Sequence, residues 1–352
     1  MISQTSKTKE WIEKVAKSNK ADKNLVEKVI RAFLLLEGLA ESGQNFVFKG
    51  GTALMLLFNS EKRLSIDIDI IIPKKENQID EILKNICTKK GFTSFQKQER
   101  IVGTNIDKEH YKLFFVSTLN NYESHILLDI LIEDIYYQNI IKLPIDSFFI
   151  NQENNPVMVN LPDFNNILGD KLTAFAPNTT GIPYRKSNKE MGMEIIKQMY
   201  DIGCLFDRVD NPKIVFKVFS LYAETELRYR NNTSSIYDVL DDIIETSLSV
   251  CLRQSQGKSD FNILHKGIKQ VKPFIFSEQF HLEKAITYAA KAAYIATVIK
   301  YGINNFSRFN KNFEMKDWII TEINTKLNKI KKTDPEAFYY LYQMSEIMKN
   351  SI

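Results

Sequence analysis

Residues 46–73 read FVFKGGTALMLLFNSEKRLSIDIDIIIP, and the fold turns on this stretch. Phe46-Val47-Phe48 is a short apolar run of strand type that ends at Gly50-Gly51. From Thr52 to Phe58 the pattern becomes helical. From Leu64 to Ile72 it alternates, with Ile66, Ile68 and Ile70 on one face and Ser65, Asp67 and Asp69 on the other, until Pro73 closes the strand. Two carboxylates at i and i+2 of one strand repel each other unless a cation lies between them. Magnesium suits such a pair, because the phosphates of a nucleotide complete its oxygen shell. Gly50 and Gly51 let the backbone approach closely, and the amides opening the next helix can receive a phosphate. Phosphoryl transfer needs these parts together. Taken alone, Asp-x-Asp is more often a solvated strand face; the glycine turn upstream, at a distance fitting strand, helix and strand in succession, shifts the reading toward a site. A calcium loop fits worse, since isoleucines occupy the even positions and no glycine follows.

Working outward, residues 7–42 read as helical, with Trp11, Val15, Leu25, Val29, Phe33, Leu36 and Leu39 at three- and four-residue steps. A helix is expected over 77–90 and strands over Lys112–Ser117 and Ser124–Ile132, which makes a sheet with helices against it for about residues 44–160. The Asn- and Pro-rich segment 151–166 is a boundary, and beyond it the helical period dominates. The expected fold is therefore α+β, with a catalytic domain over 1–165 and an α-helical domain over 166–352 that completes the cleft. A length of 352 residues fits two domains. Hydrophobic residues make up 44% and charged residues 26%, ordinary for a soluble globular protein. The formal net charge of +4 permits a nucleic-acid partner without requiring one. Cys87, Cys204 and Cys251 have no CxxC spacing, which argues against a disulfide framework or a zinc site and fits a reducing cytoplasm. The start, MISQTSKTKEWIEK, lacks an apolar signal region. The Ala-rich run 285–298, interrupted by Lys291, reads as a core helix and not as a membrane span.

Other candidates carry weaker signals. Asp129, in HILLDILI, is costly to bury without a cation or donor, so it is either a third carboxylate on a neighbouring strand or an exposed or hydrogen-bonded residue. Glu133 and Asp134 compete for the same role. Lys171 shares a helix face with Ile167 and Ala174, and such a lysine either snorkels to solvent, the commoner case, or reaches a phosphate. Asp201 borders the stripe of Ile195, Met199, Ile202 and Phe206, and alone it reads as a helix-surface acid. Arg63 and Ser65 flank the acidic pair. His110, His125, His265 and His281 form no ligand spacing, and no Gly-x-Ser-x-Gly or Ser/His/Asp arrangement is visible.

Gly50-Gly51-Thr-Ala-Leu followed by Arg63-Leu-Ser-Ile-Asp-Ile-Asp69 resembles the first motif of the DNA polymerase β-like nucleotidyltransferases, and within them the AbiEii/AbiGii toxin family that includes the MenT toxins. The segments Asp170-Lys171-Leu-Thr-Ala-Phe-Ala-Pro-Asn-Thr-Thr-Gly181 and Ile195-Ile-Lys-Gln-Met-Tyr-Asp201-Ile also resemble that family's later motifs, so the likeness spans about residues 45–206. The gap between Gly51 and Asp67 is longer than the superfamily's minimal pattern. The resemblance implies that Asp67 and Asp69 bind Mg2+; the third strand carboxylate varies in this branch, so Asp129 stays a candidate metal ligand from its strand context alone, with both its readings open. The resemblance also implies that Gly50, Gly51, Thr52, Arg63 and Ser65 line the triphosphate, that Lys171 contacts its phosphates, and that Asp201 completes the catalytic set. Ser65 matches a position where some of these toxins are silenced by phosphorylation. A cognate antitoxin, a role in toxin–antitoxin and phage-defence systems, and nucleotide addition to the tRNA acceptor end are implied as well.

The expected activity is thus magnesium-dependent transfer of a nucleotide from a nucleoside triphosphate to an acceptor such as tRNA, in the cytoplasm and away from membranes. Rival readings are transfer to a small molecule or a protein, and a non-catalytic nucleotide-binding module. Lys311, Lys316, Lys326, Lys329, Lys331 and Lys332 could guide phosphates, although a charge run is usually a solvated face.

Overall fold

The structure is a computed structural model that describes residues 1–74, 78–98 and 108–351. It divides into two compact units, Met1–Asp163 with Pro273–Gln279, and Phe164–Lys272 with Phe280–Ile352. In chain order the first unit contains α1 (Lys9–Ser18), α2 (Lys23–Glu41), β1 (Val47–Lys49), α3 (Gly50–Leu57), β2 (Ile68–Ile72) and α4 (Ile79–Lys90). It continues with β3 (Ser94–Lys97), β4 (Lys108–Val116), β5 (Glu123–Ile132), β6 (Ile140–Pro144) and β7 (Met158–Pro162). The helical run over 7–42 is broken at 19–22, where Asp22 accepts from the amides of Asn24 and Leu25, both at 2.9 Å, and so starts α2 afresh.

Five strands form one sheet in the order β1-β2-β5-β4-β3. Only β2 and β5 run parallel; the other pairs are antiparallel. One face is apolar: Phe48, Ile68, Ile70, Tyr111, Leu113, Phe115, Ile126, Leu128 and Ile130 are all buried on it. Helix α2 covers this face, with the Arg31 guanidinium 4.8 Å from the Phe115 ring centroid and buried Glu27 accepting from Ser117 Oγ at 2.6 Å. β6 and β7 pair separately, from Ile140↔Pro162 to Pro144↔Met158.

The alternating run from Leu64 does not pair throughout. β2 starts at Ile68, because the residues before it are held by other partners. Arg63 forms an antiparallel bridge with Ile275, the Leu64 amide donates to Phe274 O at 2.8 Å, and Thr52 Oγ1 donates to Asp67 O at 2.6 Å. The part of the expected 77–90 helix before residue 78 lies outside the described residues.

The second unit is mostly helical: α5 (Phe164–Ala174), α6 (Gly192–Phe206), α7 (Pro212–Tyr229), α8 (Ile236–Leu252), α9 (Phe261–Gln270), α10 (Leu282–Lys300) and α11 (Pro335–Asn350). The helical period dominates as expected, apart from a hairpin of β8 (Arg185–Lys186) and β9 (Lys189–Glu190) and residues 301–334, which contain no α-helix. The Ala-rich run is the core helix α10, and buried Lys291 within it reaches Asp207 and Glu336, both at 2.9 Å. Phe206 packs edge-on against Tyr294 and Tyr340, with centroids 5.9 and 5.2 Å away. Among the described residues no helix is long and apolar enough to cross a membrane.

The first unit is also tied together by a buried charge. Glu37 on α2, 1% exposed, accepts from the Ile2 amide at 2.7 Å and from Lys90 Nζ of α4 at 2.6 Å, while Lys90 also reaches Glu41 at 2.8 Å. Glu37→Ala leaves a buried ammonium with, among the described residues, only the exposed Glu41 as its carboxylate partner and should cost about 3–5 kcal/mol. The apolar pair Glu37→Met/Lys90→Met should cost clearly less. Chemical denaturation of both variants checks this, and equal losses would show that the pairing is immaterial.

Candidate active site

The β1–α3 junction is built around two glycines. Lys49 ends β1 in extended backbone, Gly50 turns the chain at φ +79°, and α3 begins with no side chain capping its amides. The turn is also a close approach. A Cβ on Gly50 would lie 2.0 Å from Asp69 Oδ2, and one on Gly51 would lie 2.6 Å from Ser65 Oγ and 2.7 Å from Arg63 Nη2. The Asp69 carboxylate therefore rests against the Gly50 backbone, and Ser65 and Arg63 rest against Gly51. Of the residues expected around a nucleotide, the structure brings Gly50, Gly51, Thr52, Arg63, Ser65, Asp67 and Asp69 to one locale within the first unit. Arg63 is buried, while Ser65, Asp67 and Asp69 are half-buried. The Ser65 amide points at Met55 Sδ, 3.3 Å away, and Arg63 Nη1 donates to Leu64 O at 3.0 Å, so this segment is fixed to α3 and to itself.

Register carries the locale across the sheet. Lys49 pairs with Asp69, Asp69 with Asp129, and Asp129 with His110. Paired residues of adjacent strands project from the same face. These four side chains thus form a polar row on the face opposite the α2-covered core. Asp129 is the strand carboxylate that the register places beside Asp69, and its Oδ1 lies 2.7 Å from His110 Nδ1. Glu133 and Asp134 fall beyond the end of β5. The ladder assigns only Asp69 to this face by pairing; Asp67 precedes the first paired residue and is positioned by Thr52. Sequence reading missed His110. The alternation of KEHYKLFFV shows which residues of β4 share its face, but nothing in it announces which residue β5 sets opposite.

Among the described residues no group of three or more His, Cys, Asp or Glu side chains is arranged to hold a metal ion. Magnesium does not require such a group, since one or two carboxylates suffice where phosphates supply further oxygens. Asp67 and Asp69 are of that kind: hard oxygen donors two residues apart and half-buried, with the Asp69 carboxylate against the uncapped start of α3. The residues present therefore fit the ion.

In the second unit Lys171 on α5 and Asp201 on α6 meet. Their charged atoms are 3.1 Å apart, and Lys171 Nζ also donates to Gln198 Oε1 at 3.0 Å. At 7% and 2% exposure they form a buried ion pair. Lys171 does not snorkel, and Asp201 is no surface acid. Packing of α5 on α6 closes over both, which one helix's periodicity cannot show. The following Asn-Thr-Thr loop is pinned by Asp242 of α8, which accepts from the Asn178 amide at 2.8 Å, Asn178 Nδ2 at 2.8 Å and Thr179 Oγ1 at 2.9 Å. Burial pushes the Asp242 carboxyl above its usual range, although these donors pull it down.

The profile of the family described as "Nucleotidyl transferase AbiEii toxin, Type IV TA system" matches residues 34–270. No curated protein matches the sequence significantly. Among solved structures, the chain is similar to MenT4, a nucleotidyltransferase toxin from Mycobacterium tuberculosis H37Rv, at 15% identity and TM-score 0.46, covering 82% of this chain and 98% of that one. It is also similar to JHP933 from Helicobacter pylori, at 15% identity and TM-score 0.42, covering 80% and 94%.

Contact between Asp69 and Gly50 makes the two residues energetically coupled. Gly50→Ala should cost about 1–2 kcal/mol for the left-handed backbone alone, and more because the new methyl meets a carboxylate. Adding Asp69→Ala should recover the second part, giving a coupling of about 0.5–3 kcal/mol in a double-mutant cycle read by denaturation. Strictly additive losses would show that the carboxylate does not rest there.

Proposed function

The chain belongs to the family of AbiEii nucleotidyl transferase toxins of type IV toxin–antitoxin systems, and on that footing we propose how it works and on what. Family membership makes it a nucleotidyltransferase that uses a nucleoside triphosphate and has a cognate antitoxin. The proposal is that the glycine turn and the Asp67/Asp69 pair hold that triphosphate as its magnesium complex, and that the acceptor is RNA, the acceptor end of tRNA. One observation carries it: Asp69, Ser65 and Arg63 converge on two glycines whose lack of a side chain is what lets them approach an uncapped helix start.

In this reading the amides of Gly51 and Thr52, at the opening of α3, donate to phosphate oxygens. Arg63 and Ser65 flank them and add charge and a hydroxyl. Asp67 and Asp69 would hold Mg2+, which when bound supplies neutralisation of the phosphate charge. Asp129 supports them from the next strand, held by His110. Within the second unit, Asp201 and Gln198 hold the Lys171 ammonium. An acceptor hydroxyl attacks the α-phosphorus, the new P–O bond forms as the bond to pyrophosphate breaks, and the hydroxyl proton passes to a carboxylate.

Incubation with each labelled nucleoside triphosphate and total tRNA tests this directly. Label should appear on RNA with the natural protein and disappear on chelation of divalent ions. Loss of several kcal/mol of transition-state stabilisation corresponds to about a thousandfold or more, which is the drop expected for Asp69→Asn. Transfer undiminished in Asp69→Asn would sink the assigned roles, and label on protein or small molecules with RNA unmarked would sink the acceptor.

A further inference from the structure

Thr325–Lys332 folds as a 3-10 helix of eight residues. Runs beyond three or four residues are uncommon, because the hydrogen bonds are poorly aligned and side chains three apart eclipse one another. This one is held from outside, and its three faces have different work. Leu327 and Ile330 face inward, Leu327 being fully buried. Asn328 and Lys331 make up the second face. Asn328 donates to Ile320 O and accepts from the Ile320 amide, both at 2.9 Å, and Lys331 Nζ donates to Lys316 O at 2.9 Å and Trp318 O at 2.6 Å. The third face is Lys326, Lys329 and Lys332, all exposed. Among the described residues none of these three ammonium groups has a hydrogen-bond or ion-pair partner.

Three residues per turn and about 2 Å of rise per residue set these lysines in a straight row, about 6 Å apart. On an α-helix the same spacing would wind away from one line. The pinned segment beside the row presents Trp318, stacked on Tyr342 at 4.5 Å, and Ile319, which is 62% exposed. Residues 308–332 contain seven basic and three acidic side chains, the acids being Glu314, Asp317 and Glu322, so their surplus equals the chain's whole formal net charge of +4.

We infer that this face binds a single-stranded stretch of RNA, with successive phosphates over Lys326, Lys329 and Lys332 and bases against the Trp318–Ile319 edge. Evenly spaced cations match an evenly spaced polyanion, and an edge of exposed Ile319 beside half-buried Trp318 receives bases without reading their sequence. An acidic protein segment would supply charge but has no use for the even spacing or for a stacking edge. The choice of RNA rests on the acceptor proposed above; the surface itself does not depend on any chemistry at Asp69.

The test is binding of a short labelled single-stranded RNA to the full chain, by fluorescence anisotropy over a series of salt concentrations, with no nucleotide present. Removing three phosphate contacts by K326Q/K329Q/K332Q should make the slope of log affinity against log salt shallower by about 2 and weaken binding about tenfold or more. Asn328→Ala, which keeps every charge but releases the pin, should also weaken binding. K17Q/K84Q/K89Q removes three exposed lysines of the first unit and should leave the slope unchanged. Thermal melts confirm that each variant is folded. An unchanged slope in the row variant, an equal loss in the control, or wild-type affinity in Asn328→Ala overturns the inference. So does poly-L-glutamate binding as tightly as RNA through the same lysines, which would mark a protein-binding face. Transfer to RNA that proceeds with an unaltered KM after loss of the row removes this inference and leaves the proposed function intact. Intact binding without any transfer does the reverse.

Discussion

The contact between the Asp69 carboxylate and the Gly50 backbone is the constraint from which the rest of the first unit follows. It requires a left-handed residue without a side chain directly after β1, a helix that starts with bare amides, and a β2 placed in antiparallel register so that Asp69 faces Lys49. Each of these is unfavourable alone. Glycine gives up backbone entropy, an uncapped helix start leaves donors unsatisfied, and neighbouring aspartates repel. Together they set free helix amides, a buried arginine and two half-buried carboxylates around one glycine turn.

The sheet can tolerate this because its two faces do different things. The face under α2 is a continuous apolar layer from Phe48 through Ile70 and Ile130 to Phe115, and Arg31, Glu27 and Glu37 of α2 are each satisfied by specific partners. At roughly 25 cal/mol per Å² of apolar area removed from water, that layer is the main source of stability. The polar row on the opposite face contributes geometry: hydrogen-bonded pairing between strands sets Lys49, Asp69, Asp129 and His110 side by side with little freedom to drift.

Sequence reading reached the strand–turn–helix–strand, because period two, a glycine pair and period 3.6 follow each other within 28 residues. It reached the acidic pair and its glycines for the same reason, since their relation is local. It misjudged what depends on distant partners. The alternation of Leu64–Ile72 suggested a longer strand, yet Arg63 and Leu64 pair with residues 274 and 275, more than two hundred positions away. Lys171 and Asp201 looked like surface residues on separate amphipathic helices, and only the packing of α5 on α6 turns them into a buried pair. His110 was passed over because a histidine one strand away from an aspartate leaves no spacing to find. The lysines near the C-terminus are the solvated run they looked like; what the sequence left unseen is the 3-10 backbone that lines up three of them.

The position of the acidic pair along β2 also has a physical reason. Ile70, Ile71 and Ile72 are buried although successive residues point to opposite faces, so both sides of the strand are covered a step beyond Asp69. A carboxylate placed there would lose its hydration on every side, and no phosphate or solvent could reach it. Asp67, one residue before the ladder, and Asp69, its second residue, stand where β2 enters the sheet, and they keep partial exposure. The same strand therefore buries its interior residues and leaves carboxylates half-exposed where it enters the sheet. Shifting the register by a single residue would exchange the two faces and bury Asp69 under α2. The isoleucines that fix the register are thus what keeps the Asp69 carboxylate partly exposed.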